Sequence, residues 1–316
     1  MAGRLAKRLL HVVPVLFLVS LATLLLLNLT PGDPAYAVLS DQATPEQVAI
    51  VHRELGLDKP IAIRYLDWVG KIAHGDFGTS LRTNQTVGDA LKQRLPVTAE
   101  LALAALLIAL VVSVPFGVYS AYRADSPFDR AGSGLTSLFI SSPAFLTGIV
   151  LAYVLAVKVN VFPVTGWVKL SDDVLDNLRH VFLPALTLSI GEIAIFTRLL
   201  RSDMIGTLQE DFILAARAKG LPTWRIVIRH ALRPSSFSLV TLAGISLGRL
   251  MGGAVIVESL FALPGLGQLL ITSIYSRDFV MVQGVVMFVA LAYVVINTGI
   301  DLLYSYLDPR LRTARA

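Results

Sequence analysis

The groups in this sequence that could do chemistry are few and sit apart. The stretch from Glu210 to Ser235, EDFILAARAKGLPTWRIVIRHALRPS, holds five Lys/Arg, one His and two carboxylates, in a chain that is 55% hydrophobic. Glu192 and Arg249 are single charges set inside long apolar runs. The five histidines, His11, His52, His74, His180 and His230, are too scattered for a metal site, and there is no cysteine. HExxH and GxSxG are missing, and no two carboxylates share one apolar run, so hydrolytic and metal chemistry find no constellation. GxxxxGK[ST] is missing too, so the chain carries no P-loop of its own. The residues therefore predict a non-catalytic protein with a basic surface and two charges that need partners.

What must position those groups is membrane. The 316 residues have a mean hydropathy of +0.69 and only 16% charged residues, against roughly 25% in an ordinary soluble domain. Six apolar runs reach the roughly 20 residues that a spanning helix needs. They lie at approximately Leu9–Leu29, Val97–Tyr122, Gly132–Val157, Phe182–Leu200, Phe237–Val257 and Val280–Tyr306. An all-α integral membrane protein with six transmembrane helices is the expected fold.

Charge placement orients it. One set of connecting segments holds 15 Lys/Arg against six carboxylates, and the other holds 11 against 13. The positive-inside rule then puts both termini and the basic stretch in the cytoplasm. It accounts for the pI of about 9.5 through membrane lipid, with no nucleic acid. Arg4, Lys7, Arg8 and Ala35-Tyr36-Ala37 resemble a signal peptide and its cleavage site, but the apolar run exceeds the usual 7–15 residues. An uncleaved anchor is expected.

Outside the spans, Thr44-Pro45-Glu46-Gln47 predicts a capped helix start, which Gly56 can close. Ile61, Tyr65, Trp68, Val69 and Ile72 recur at helical spacing. A further short helix is expected around Thr86–Leu95, ending at Pro96, and a tight turn at Pro264-Gly265-Leu266-Gly267. The segment reads as a packed cap or as a docking surface for an external partner. In the basic stretch, Phe212, Ala215, Ala216 and Lys219 share a helical face that stops at Gly220. A second helix starts at Thr223, with Trp224, Val227, Ile228 and Ala231 as an apolar stripe, Arg225, Arg229 and Arg233 beside it, and Pro234 as its end. Patterning alone leaves two readings open, docking into a partner's groove and adsorption to lipid.

Leu214-Ala215-Ala216-Arg217-Ala218-Lys219-Gly220 followed by Arg229-His230-Ala231-Leu232-Arg233 resembles the cytoplasmic "EAA" loop of binding-protein-dependent ABC importer permeases, dipeptide/oligopeptide branch. Thr30-Pro31-Gly32-Asp33-Pro34, Gly75-Asp76-Phe77-Gly78-Thr79-Ser80, Pro264-Gly265-Leu266-Gly267 and Leu307-Asp308-Pro309-Arg310 stand where that branch has similar stretches. Leu214 replaces the family's Glu, with Asp211 one turn earlier, and Pro234-Ser235-Ser236 departs from its usual continuation.

The resemblance implies an ATP-driven importer subunit in the bacterial inner membrane, forming half of a pathway for short peptides. Asp211, Ala215, Ala216, Arg217, Lys219, Gly220 and Arg229 would couple it to an ATPase. Glu192 and Arg249, read from their depth in the apolar runs rather than from the resemblance, either pair structurally or line the pathway. Implied partners are a second homologous permease, two ATP-binding cassette subunits that bind ATP and magnesium, and an extracytoplasmic solute-binding protein. The expected domains are an anchor (1–30), an extracytoplasmic helical segment (31–96), a five-helix core with its cytoplasmic loop at about 201–235 (97–306) and a cytoplasmic tail (307–316). Nickel complexes and glutathione remain alternative solutes. An ion-driven secondary transporter or channel remains the rival class, since it too carries ionisable groups deep in its helices.

Overall fold

The structure, a computed structural model, describes residues 13–25, 34–39, 44–54 and 56–307. The expected motif from Thr30 to Asp33, most flanks of the first apolar run and the Asp308-Pro309-Arg310 end lie outside them. The regular structure among the described residues is helical, with one isolated bridge between Thr79 and Thr86. In order they are α1 (Val13–Leu25), α2 (Pro34–Leu39), α3 (Pro45–Glu54), α4 (Ile61–Ala73), α5 (Val87–Tyr122), α6 (Pro127–Ser141) and α7 (Ala144–Leu151), which runs on as a π-helical segment, Ala152–Lys158. Then follow α8 (Val174–Leu208), α9 (Asp211–Ala218), α10 (Thr223–Arg225), a π-helical segment Ile226–Ala231, α11 (Leu232–Leu260), α12 (Leu266–Tyr275) and α13 (Phe279–Leu307). The chain divides into two compact units, one of Met1–Thr98 with Pro264–Val295 and one of Ala99–Leu263 with Ile296–Ala316.

Among the described residues, four helices are long and apolar enough to cross a membrane: Val87–Tyr122, Val174–Leu208, Thr223–Leu260 and Phe279–Ile300. A fifth candidate is α6 with α7 and its extension, bent by 108°. The sequence predicts one spanning helix there, at Gly132–Val157. It breaks because Ser142 precedes Pro143 and is held extended, at φ −85° and ψ 126°, the conformation a following proline imposes. The Ser141 and Ser142 hydroxyls donate to the carbonyls of Ser137 and Leu138, at 3.0 Å each, which serves the frayed helix end.

Two expected helix ends are corrected in the opposite sense. Pro96 does not stop a short helix, because α5 is continuous from Val87 through it. Pro234 does not end the second loop helix, because Thr223–Leu260 is one helix. A proline inside a helix removes one N–H and crowds the turn before it. Ahead of Pro234 the turn is widened to π geometry at Ile226–Ala231, which gives the ring room. Ser235 then donates to the Ala231 carbonyl at 2.9 Å.

In the first unit the predicted cap forms, with Thr44 N–H donating to Gln47 Oε1 at 3.0 Å and Gln47 N–H to Thr44 Oγ1 at 3.4 Å. After Gly56 the Leu57 N–H returns to the His52 carbonyl at 2.8 Å. Tyr65 of α4 bonds Ser20 of α1 at 2.8 Å, edge-on to Phe17. Buried Ser80 donates to Asp278 at 2.5 Å, and the Asp278 carboxylate accepts from Met281 N–H at the start of α13. The expected turn at Pro264-Gly265 opens α12, whose first N–H, on Leu266, is met by Thr98 Oγ1 at 2.8 Å. The core here is Val87, Ala90, Leu91, Leu266, Met281 and Val285.

The second unit is held by α8. Its long apolar face buries Phe196, Leu200 and Met204 completely. Gly148 lets α7 come against α8 and α11, where a Cβ would stand 3.0 Å from Thr187 and 2.7 Å from Leu260. Ser126 caps α6 by accepting from Asp129 N–H. The Asp129 carboxylate, with a side chain only 3% exposed, takes Arg201 of α8 in two bonds of 2.5 and 2.6 Å.

Breaking a buried pair leaves its partner uncompensated and costs about 3–5 kcal/mol, whereas exposed pairs are worth about 0–1 kcal/mol. Arg201 is 28% exposed, which puts the cost at the low end. Asp129→Ala is therefore expected to destabilise by about 3 kcal/mol, and Lys59→Ala, which breaks the exposed pair with Asp67, by less than about 1 kcal/mol. Thermal unfolding of the purified variants checks this, and equal midpoints would contradict it.

Candidate functional site

Two places gather the polar groups of the second unit: the middle of α8 and α11, and the loop between them. Glu192 and Arg249, 57 residues apart in sequence, do meet. One terminal nitrogen of Arg249, Nη2, lies 2.7 and 2.8 Å from the two Glu192 carboxylate oxygens. Ser246, one turn before Arg249, donates to Glu192 Oε2 at 2.8 Å and lies 3.3 Å from the same nitrogen. The Glu192 side chain is 7% exposed and that of Arg249 is 53% exposed. The carboxylate is sealed by its partners while the guanidinium remains open on one side. The two line a cavity of about 250 Å3 with residues of α6, α7, α8 and α11.

Sequence depth allows these charges to meet if their spans are neighbours: each sits roughly 12–15 Å inside its apolar run at 1.5 Å per residue. Ser246 was not foreseen, although its position three residues from Arg249 puts it on the same helical face. Nor was the Asp129–Arg201 pair, which joins residues 72 apart. The only local signal there was the Ser126-Pro127 helix start. A second polar cavity, about 310 Å3, adjoins that pair and is lined by Ser133, Thr136, Ser137, Arg198, Arg201 and Ser202.

The basic loop folds as α9, a turn, and the first turns of the helix that becomes α11. Asp211 opens α9, where a carboxylate suits the helix dipole. Lys219 closes it, and Gly220 follows at φ +72°, a left-handed conformation that glycine adopts freely. The Gly220 and Leu221 N–H groups return to the carbonyls of Arg217 and Ala216 at 2.9 and 3.3 Å.

The expected faces are re-sorted. Ile213 and Ala216 turn inward, 0% and 7% exposed, onto a core with Phe196, Leu200 and Met204 of α8. Ala215, Arg217, Lys219 and Gly220 remain exposed, as do Phe212 and Leu214. In the following helix Val227 and Ala231 are buried, whereas Trp224 and Ile228, on the predicted stripe, are 64% and 51% exposed. Arg225 lies over the Trp224 ring, 5.5 Å from its centre, and Arg229 is exposed. Thr207 of α8 and Ser235 of α11 are joined by a 3.0 Å hydroxyl contact at the loop's base. The loop thus offers small, apolar and basic side chains outward while being fastened inward to the two helices that carry Glu192 and Arg249.

The family described as "Binding-protein-dependent transport system inner membrane component" matches residues 113–313, and the corresponding N-terminal family matches residues 1–102. A putative peptide transport system permease protein of Brucella abortus is 38% identical over 312 residues, covering 99% of each chain. A probable D,D-dipeptide transport system permease protein of Escherichia coli is 37% identical over 314 residues, covering 93% of this chain and 92% of the relative. An inward-facing methionine ABC transporter shares the fold, with a TM-score of 0.57 at 18% identity over 69% of this chain and 96% of that one. Helices long enough to span a membrane, a tethered basic loop between the fourth and fifth apolar runs, and matches along nearly the whole length lead to one conclusion: the chain belongs to the binding-protein-dependent transport system inner membrane component family.

Proposed function

We propose that this chain is the transmembrane permease subunit of an ATP-driven importer of short peptides and forms half of the translocation pathway. The observation that carries the mechanism is the fastening of α9. Ile213 and Ala216 pack on Phe196, Leu200 and Met204 of α8 and near Val227 and Ala231 of the following helix. Force applied to α9 from outside the bilayer is passed to α8 and α11 together, because close-packed interiors transmit strain. Met204 stands twelve residues from Glu192 on α8, roughly 18 Å along the helix at 1.5 Å per residue.

In this reading the exposed side of the loop, Ala215, Arg217, Lys219 and Gly220 with Asp211 and Arg229, seats in a groove of a separate ATP-binding cassette subunit. Ala216 serves from within, by holding α9 to its own core. Two such ATPases bind the ATP and magnesium, a second homologous permease completes the pathway, and an extracytoplasmic binding protein delivers the solute. Peptide as the solute draws support from the relatives named above. Glu192 and Arg249 lie on the pathway. Six spans follow from the six apolar runs and cytoplasmic termini from the positive-inside count, with the run around α1 as the first span and bent α6–α7 as the third.

Two outcomes check this. Gly220→Val forces a β-branched residue into the left-handed conformation, at a cost of about 1–3 kcal/mol, and re-aims the end of α9. The variant should insert at normal levels but lose most ATP-dependent uptake or release the ATPase on purification. Wild-type uptake with normal ATPase co-purification would refute the coupling role, and uptake by the chain alone under an ion gradient would favour the carrier class. Topology is tested by single cysteines, which are unambiguous in a chain without any. A cysteine at Gln85 should react with a membrane-impermeant thiol reagent from outside the cell, and one at Thr223 only after the membrane is opened. The reverse pattern would invert the orientation.

A further inference from the structure

The cavity beside Glu192 and Arg249 has a directional polarity that says more about what it takes. At about 250 Å3 it lies below the roughly 300–1,000 Å3 of sites for drug-sized molecules. It suits the terminal residue of a peptide better than a chain of several. Much of its wall is apolar, with Phe139, Ile195 and Leu250 among the residues.

Its polar groups are of two opposite kinds. Arg249 uses Nη2 on Glu192 and Ser246. Nε and both hydrogens of Nη1 remain as donors, with no partner among the described residues. Three hydroxyl residues are among those that line the cavity, Ser142, Thr147 and Thr187, and each has given its single proton to a carbonyl of its own segment. They donate to Leu138, Pro143 and Leu183 at 3.0, 3.3 and 2.9 Å. With that proton used, their oxygens are left only to accept.

We infer that this cavity is a subsite for the C-terminal end of a peptide: Arg249 Nε and Nη1 take the terminal carboxylate, and the hydroxyls of Ser142, Thr147 and Thr187 accept from the peptide's N–H groups. The inference rests on the peptide-import reading and assigns that site its ligand group. Glu192 and Ser246 are positioning residues. They hold the guanidinium by one nitrogen, Nη2, and leave the others unengaged. Glu192 itself is closed to a peptide's ammonium, because both its oxygens are engaged and its side chain is 7% exposed. Its charge offsets that of Arg249, so a singly charged carboxylate suits the site better than a dianionic phosphate.

The test uses the assembled importer in nanodiscs, without binding protein or nucleotide, and saturation-transfer NMR with alanyl-alanine and its C-terminal amide. Wild type should bind the acid at least tenfold more tightly than the amide. Arg249→Gln should weaken acid binding about tenfold and leave the amide within twofold. Glu192→Gln should reduce the acid-over-amide ratio without changing amide affinity, whereas a purely structural Glu192 would shift both ligands alike. Because Arg249→Gln strands Glu192 in a buried place, the double variant Glu192→Gln/Arg249→Gln is measured beside it, with the same loss of preference expected. Equal affinities in wild type, or an undiminished preference in the double variant, overturn the subsite. ATP-dependent uptake of alanyl-alanine, with binding protein added, reads the transport function separately. Uptake without acid preference removes the subsite alone, and acid preference without uptake removes the peptide-import reading alone.

Discussion

A carboxylate taken out of water in the middle of an apolar helix must be met by a cation and hydrogen-bond donors, or the helix will not stay where it is. Glu192 meets both conditions through Arg249 and Ser246, and this constraint organises the second unit. It fixes which face of α8 turns to α11. Arg201 stands nine residues further along α8, which at 100° per residue is about 180° around the helix. The same helix can therefore hold α11 with one face and, through Asp129, α6 with the other. Two ion pairs on opposite faces leave α8 little freedom to rotate, and the apolar core of Phe196, Leu200 and Met204 fills in around that setting.

Much of this was legible from residue types. The similar depth of Glu192 and Arg249 in their runs allowed a meeting if the two spans were neighbours, and each charge called for a partner or a water-filled cavity. Thr44 with Gln47, and Gly220 after α9, are local signals whose partners lie within one turn, so they read true. Proline was where local reading failed, in both directions. Pro96 and Pro234 looked like helix ends and are inside helices, while Ser142-Pro143 looked like the middle of a span and is a 108° corner. The difference is in the turn before each proline. Ahead of Pro234 the helix is widened to π geometry at Ile226–Ala231, which makes room for the ring, and the helix continues. At the corner the serine hydroxyls attend to the end of α6, and the helix stops.

The ion pair of Asp129 with Arg201 and the sorting of the loop faces were not legible, for a related reason. Both depend on which helices become neighbours, and nothing within a turn of either residue says so. Patterning placed Ala215 with Ala216 on one face of α9, and Trp224 with Val227, Ile228 and Ala231 on one stripe. Packing on α8 instead takes Ile213 with Ala216 inward. The widened turn moves Val227 and Ala231 inward while Trp224 and Ile228 stay out. Each set keeps a helical i, i+3 or i, i+4 spacing, so the periodicity was real and only the choice of face was open.

That choice bears on how the proposed coupling can work. If the whole small-residue stretch faced outward, α9 would be a peg attached only by its two ends. With Ile213 and Ala216 buried, it is a plate bonded to α8 along its length, with the Thr207–Ser235 contact tying α8 to α11 at its base. A partner gripping the exposed Ala215, Lys219 and Trp224 side then cannot displace the loop without moving both helices. Those helices meet again at Glu192, Ser246 and Arg249, where three short hydrogen bonds bridge the two elements to which the loop is fastened.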